Sequence, residues 1–250
     1  MSCSRGSAII VLMKLTGYLF WLLCCTFAGI CQASDSGREA LYASEIGRNL
    51  QVGKMVWLEA QGKKFLGLYT ETEREEEYGV ALIIHDTGEQ PDRRHVVHAL
   101  RTRLPEHRWA TLSLQMPVRE AGAPVGDYYA LFPEARARIQ AGIDYLKTGK
   151  DRNVVLIGYG LGSLMALNYR SEHPASGVSA IAAISLPAPD NDSEAVQTLA
   201  FIDKTDIPLL DIYASLDLPE VVDSARKRRL AAKGNVSYRQ VRIDDHSHQF

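Results

Sequence analysis

The stretch NVVLIGYGLGS, Asn153 to Ser163, runs an apolar strand straight into a glycine-rich turn and the start of a helix. Sharp strand-to-helix turns that present a nucleophile read G-x-S-x-G, with the serine hydroxyl exposed at the bend. Here the pattern is Gly158, Tyr159, Gly160, Leu161, Gly162, so the position expected to carry a hydroxyl carries a hydrogen. A side chain at such a bend is held in a strained backbone conformation, at a cost on the order of 1–3 kcal/mol. Glycine adopts it without that cost. Residue 160 thus keeps the turn and removes the group that would do covalent chemistry.

Outward from this turn the pattern is regular. MVWLEAQ (Met55–Gln61) and KKFLGLYTE (Lys63–Glu71) alternate in polarity around a single glycine, which predicts an antiparallel pair leading the sheet. GVALIIHD (Gly79–Asp86) is a continuous apolar run, the mark of a strand buried on both faces. Helices are expected over 91–104, 133–147, 161–171, 194–203 and 219–233. Between and after them lie the strands WATLSLQM, VVLIGYG, SAIAAISLP, PLLDIYASLD and VSYRQVRID. Alternating short strands and amphipathic helices predict an α/β fold: a mostly parallel sheet with helices on both faces and antiparallel first strands.

Composition narrows the function. The chain has 250 residues, 46% hydrophobic and 23% charged, enough for one domain with a full core. A formal charge of -2 provides no broad basic field, so no nucleic-acid partner is expected. The cluster Lys227, Arg228, Arg229 reads as a solvated helix face.

From Tyr18 to Ile30 the residues are almost all apolar, a run shorter than the roughly 20 needed to cross a bilayer. Lys14 precedes this run, and Cys31, Gln32 and Ala33 form a small-x-small cleavage pattern. Residues 1–33 are therefore expected to be a signal peptide, with Met13 an alternative start, and the mature chain to be exported, into a bacterial periplasm, with no stable transmembrane span. All four cysteines (Cys3, Cys24, Cys25, Cys31) fall in that leader, which leaves the remainder without a thiol nucleophile or thiolate ligand. No metal cluster and no cofactor are implied.

Ligands in open parallel sheets gather at the carboxyl ends of the strands. Four of these ends carry chemistry: HDTGEQPD after Ile84, the glycine turn, Asp217, and the terminal DDHSHQF. Turn, then acid, then histidine is the chain order of α/β-hydrolase triads. With LIIHDTGEQPD, WATLSLQMP, VVLIGYGLGSLMALNY, LLDIYASLD and VRIDDHSHQF in that order, residues 55–250 resemble the α/β-hydrolase fold, and within it an exported bacterial branch of hydrolase-like proteins of unknown function. The resemblance implies one hydrolase-like domain over 34–250. It places Gly160 at the nucleophile position, Asp217 at the acid and His248 at the base, with His246 as the alternative base. Thr87, Gly88 and the Leu161 N–H are then the oxyanion and pocket groups. Asp86 departs from that pattern, because a carboxylate beside a developing oxyanion would raise its energy.

Each residue also has a structural reading. Asp217 would cap the helix that begins after Leu218-Pro219, and His246 and His248 would be exposed tail. His85 would be a hydrogen-bonded core histidine. Ser163 is expected to point away from the pocket, while Ser185, ending the neighbouring strand, is the other hydroxyl to consider. The loop 117–131, with Tyr128 and Tyr129, is either a pocket wall or packing.

Three functions are in play. The first is a hydrolase-like protein without covalent serine catalysis that binds a small-molecule or lipid-like ligand or an envelope partner. The second is a weak carboxylic-ester hydrolase in which Asp217 and His248 activate water; triads stripped of a member keep roughly 10³ to 10⁴-fold catalysis. The third, dinucleotide binding, fits less well, because the third glycine position holds Ser163 and the next strand ends in Ser185-Leu186-Pro187 rather than an acid.

Overall fold

The computed structural model describes residues 34–148, 152–189 and 196–250, within a unit spanning Ser34–Phe250. The expected signal peptide lies outside the described residues.

Eight strands form one sheet: β1 (Lys54–Ala60), β2 (Lys63–Thr70), β3 (Gly79–Ile84), β4 (Trp109–Leu114), β5 (Val154–Tyr159), β6 (Val178–Ile184), β7 (Leu209–Leu216) and β8 (Tyr238–Ser247). Their order is β1-β2-β4-β3-β5-β6-β7-β8. β1 pairs antiparallel with β2 and β2 with β4, and every other pairing is parallel. The first hairpin turns on two residues, Gln61 (φ 52°) and Gly62 (φ 74°), and two positive φ values match the right-handed strand twist.

The helices are α1 (Ser36–Asn49), α2 (Val96–Arg103), α3 (Phe132–Lys147), α4 (Leu161–Glu172), α5 (Thr198–Lys204) and α6 (Pro219–Ala231). Side chains alternate across the sheet. Leu82, Ile84, Leu112, Leu114 and Leu156 meet Ile139, Ile143 and Leu164 on one face. Ala81, Ile83 and Ile157 meet Val97 on the other. β3 is therefore buried along its whole length, as its unbroken apolar run requires.

The helix expected over 194–203 runs from Thr198 to Lys204, and two further departures from the expectation have a visible reason. The helix expected over 91–104 begins only at Val96, because Asp92 is held in the preceding turn as the partner of Arg101 Nε (2.9 Å) and Nη2 (2.7 Å). The basic cluster on α6 is not wholly solvated either. Arg228 is fully buried against Asp211 of β7 (Nε to Oδ2, 2.8 Å; Nη2 to Oδ1, 3.1 Å). The Tyr238 hydroxyl and Gln240 Nε2 also donate to Asp211 Oδ2, at 2.8 and 3.0 Å, so one carboxylate ties α6 and β8 to β7. Removing one member strands a buried charge, and Asp211→Ala is expected to cost roughly 3–5 kcal/mol in urea unfolding. A loss below about 1 kcal/mol, the value of an exposed pair, would contradict this account.

Candidate active site

The bend between β5 and α4 is built by close backbone approach. A Cβ on Gly158 would overlap the Ser163 backbone, and one on Gly162 would overlap the carbonyls of Ile84 and His85, so the helix sits directly on the strands. Between them Gly160 takes φ 55° and ψ −124°, a conformation that side chains resist. Its N–H donates to Ile184 O at 2.9 Å, which fixes the bend to β6.

The space above Gly160 is filled by Asp86. A Cβ built on Gly160 would overlap all three atoms of the Asp86 carboxyl group. Oδ1 of that carboxylate accepts the Leu161 N–H at 2.6 Å, and Oδ2 lies 3.1 Å from His248 Nε2. His248 Nδ1 in turn lies 2.7 Å from Asp217 Oδ1. The imidazole is thus bracketed by two carboxylates, with a chain of contacts running Asp86, His248, Asp217. Gly160, Asp217, His248 and Leu161 converge here, and Asp86 joins them.

Each member is anchored from outside the chain of contacts. Asp217, at the end of β7, also accepts from the Leu218 N–H (2.9 Å), the Ala214 N–H (3.2 Å) and the Ser185 hydroxyl (2.6 Å). It is not the cap of α6, since Leu218 holds that position. His248 lies just past β8, which runs on beyond Asp244 to Ser247, where it pairs with Leu216. The ring stacks on Tyr159 (centroids 5.0 Å apart, planes 25° apart), and the Tyr159 hydroxyl donates to His248 O at 2.9 Å. The terminal segment is therefore pinned by its own histidine.

The other expected residues fall outside this cluster. His246 is exposed, and its Nδ1 lies 2.8 Å from Asp244 O. Ser163 is buried with its hydroxyl turned to Gly158 O and Ile184 O (2.7 and 2.8 Å). Ser185 supports the acid rather than facing Nε2 of the imidazole. His85 Nε2 accepts the Met116 N–H at 2.9 Å and its Nδ1 lies 2.8 Å from Asp86 O, a core histidine that burial lowers to about 4. Tyr128 packs in the main core and Tyr129 lies edge-on to Phe132.

The oxyanion expectation needs correction. The Leu161 N–H is engaged by Asp86, so no donor stands open there for a substrate oxygen. Gly88 contributes shape: its carbonyl accepts from Arg38 Nη2 and from the Tyr42 hydroxyl, both at 2.8 Å. α1 thus holds the loop Thr87–Gly88 down through Arg38 and Tyr42, which aims Asp86 at the bend.

The charges explain one another. Burial pushes the Asp86 carboxyl up, but the His248 contact and the N–H groups of Leu161 and Thr87 outweigh it and bring it below the ordinary carboxylate value. Asp217 is lowered against its own burial by His248, Ser185 and two backbone N–H groups. Burial pulls His248 down, yet its bonds to Asp217 and Asp86 raise it to about 9. At neutral pH the cluster is carboxylate, imidazolium, carboxylate. An imidazolium is no general base. Glu89, three residues past Asp86, is raised to about 7 by burial and by the Asp86 charge, and its Oε2 is buried with no hydrogen-bond partner.

Among the described residues no group of three His, Cys, Asp or Glu is placed to hold a metal ion. Among the same residues no helix is long and apolar enough to cross a membrane.

Solved structures similar to this one include several described as esterases or hydrolase homologues. Similar ones include Est1E from Butyrivibrio proteoclasticus (16% identity, TM-score 0.58, covering 78% of this chain and 90% of that one). An α/β serine hydrolase homologue from Coxiella burnetii matches at 14% identity and TM-score 0.61, covering 80% of this chain and 91% of that one. An esterase from Pyrococcus furiosus matches at 16% identity and TM-score 0.62, covering 78% and 83%. At these identities the likeness establishes the α/β-hydrolase fold. No curated protein matches the sequence. The model of the family DUF3530, protein of unknown function, matches residues 32–137 and 130–249. This α/β-hydrolase-like chain belongs to the DUF3530 family.

Proposed function

We propose that this chain is an exported hydrolase-fold protein that performs no acyl transfer through a serine and acts, toward esters, as a ligand-binding pseudo-hydrolase. Gly160 is taken to stand where serine hydrolases carry their nucleophile. The observation that supports this reading best is the Asp86 carboxylate, which fills the place of the missing side chain and occupies the Leu161 N–H. An ester carbonyl would meet an anion there instead of a hydroxyl and an oxyanion donor. The imidazolium state of His248 disfavours the water-activating alternative as well, because its proton is already in place at neutral pH. Export, to a periplasm where a small-molecule, lipid-like or envelope partner is met, rests on the apolar run 18–30 and the cleavage pattern ending at Ala33.

Fluorophosphonate labelling with adduct mapping tests the chemistry. No labelled serine is expected in the cluster, and short-chain ester turnover is expected to be at background and equal in wild type, His248→Ala and Asp217→Asn. A phosphonylated serine beside His248, or turnover lost in either variant, would overturn the proposal. Terminal sequencing of the protein recovered from periplasm is expected to begin at Ser34; an uncut cytoplasmic chain would contradict export.

A further inference from the structure

We propose that a second site lies away from the bend, in a cavity of about 1000 Å³ between the C-terminal end of α1 and the segment 90–98 that leads into α2, and that it binds the phosphate group of a phosphorylated sugar or polyol, free or as a lipid headgroup. The proposal goes beyond the reading of the bend and does not depend on it, since none of Gly160, Asp86, Asp217 and His248 lines this cavity.

Charge is the first argument. Arg48 from α1 and Arg93 and Arg94 from the facing segment line the cavity, with the imidazoles of His95 and His98 beside them, and the carboxylates of Glu45 and Asp92 oppose them. Asp92 is already engaged, because its Oδ1 accepts from Arg101 Nε and Nη2 and lies 2.8 Å from His98 Nδ1. Arg93 Nε lies 3.3 Å from Glu89. Among the described residues Arg48 and Arg94 have no ion pair or side-chain hydrogen bond. Arg48, in the last turn of α1, is favoured there by the helix dipole. Arg93 and Arg94 stand just ahead of the first turn of α2, where that dipole disfavours cations, so the fold itself gains nothing from Arg94 at this place.

Rigidity is the second. One buried side chain ties the two walls together: Arg101, 1% exposed, holds Asp92 on one side and donates from Nη1 to Val52 O, just past the other, at 2.7 Å. Gln90 Oε1 accepts the Asp92 N–H at 2.8 Å. His95 turns the chain at φ 73°, a conformation that costs a residue other than glycine on the order of 1–3 kcal/mol. The cations therefore surround a pre-formed space, which lowers the ordering cost of binding.

The lining selects the ligand. Guanidinium forks match phosphate oxygens two at a time. Two unpartnered guanidiniums call for a group of about two negative charges, which a phosphate monoester carries at neutral pH. The cavity is as large as those that enclose whole small molecules, so it has room for more than the phosphate. Among the described residues that line it only Ile46 and Leu50 are apolar, and Ile46 is 3% exposed, so the remainder of the ligand is polar. An acyl chain finds no slot here, and a lipid would be held by its headgroup alone.

The test titrates the intact protein with glucose 6-phosphate, glycerol 3-phosphate and glucose by calorimetry and by backbone amide shifts, and adds co-sedimentation with phosphatidylcholine vesicles with and without phosphatidic acid. The expected result is saturable binding of a sugar or polyol phosphate, or of the phosphatidic acid vesicles, with no binding of glucose or of plain phosphatidylcholine. Shifts should centre on residues 45–51 and 90–98. Binding should weaken about tenfold or more in the double variant Arg48→Gln, Arg94→Gln, and be unchanged in Arg239→Gln, on the exposed last strand. Binding of the soluble phosphates identifies a free ligand, and binding of the vesicles alone identifies a lipid headgroup. Absence of binding by every phosphate probe, equal binding of glucose, or full affinity in the double variant would overturn the proposal. Fluorophosphonate labelling, on which the reading of the bend stands, is independent of all these outcomes.

Discussion

On the proposed reading, placing serine at the bend, Gly160→Ser, is expected to leave the protein inactive toward esters and destabilised by about 3 kcal/mol, while Gly160→Ser combined with Asp86→Gly is expected to gain esterase activity. The single change places a side chain in a backbone conformation that costs on the order of 1–3 kcal/mol and drives it into the Asp86 carboxyl group. The carboxylate must then leave the Leu161 N–H and the imidazole. Removing it frees both the space and the donor. It also takes one of the two anions from His248, so that the ring can act as a base toward the new hydroxyl. The double variant should exceed wild-type ester turnover by about a thousandfold or more and be labelled by a fluorophosphonate at residue 160. Short-chain ester assays and thermal unfolding of both variants check this. Equal activity in the single and double variants would mean that Asp86 is not in the way.

The second large effect is on stability against pH. His248 is raised from 6.5 to about 9 and Glu89 from 4.5 to about 7 in the folded chain. For a group raised on folding, the stabilisation is complete below its unfolded value and is lost as pH climbs through its folded value. Both groups therefore erode stability on the alkaline side, Glu89 toward pH 7 and His248 toward pH 9. Asp86 and Asp217 are lowered, so their contribution is present above about 3.8 and is lost as pH falls through their folded values. Stability should be greatest near pH 5 and fall toward pH 9, with His248 accounting for at most roughly 3 kcal/mol of the drop. Urea midpoints across that range measure it. In His248→Gln the part of the decline between pH 7 and 9 should disappear, and an unchanged decline would contradict the assignment.

The sheet was legible because its evidence is local. The unbroken apolar run of Gly79–Ile84 is a strand buried on both faces, and Gly158, Gly160 and Gly162 mark a turn in which strand and helix backbones touch. Bend, acid and histidine were legible as an order along the chain, and the structure brings Gly160, Asp217 and His248 together. What occupies the bend was not. The sequence marks Asp86 only as a carboxylate out of place, and its direction depends on α1, since Arg38 and Tyr42 hold Gly88 from across the fold. Arg228 was hidden for a related reason. Three adjacent basic residues look solvated until the helix phase turns the middle one onto Asp211. The hold on His248 was equally non-local, because it comes from Tyr159, Asp86 and Asp217, each on a different strand end.

The contact between Asp86 and His248 is tested most directly by titrating the His248 ring by NMR in the wild type and in Asp86→Asn. The account predicts a midpoint near 9 in the wild type, lowered by about one unit or more once the Asp86 charge is gone. A wild-type midpoint at or below the ordinary 6.5, unmoved by the substitution, would contradict it.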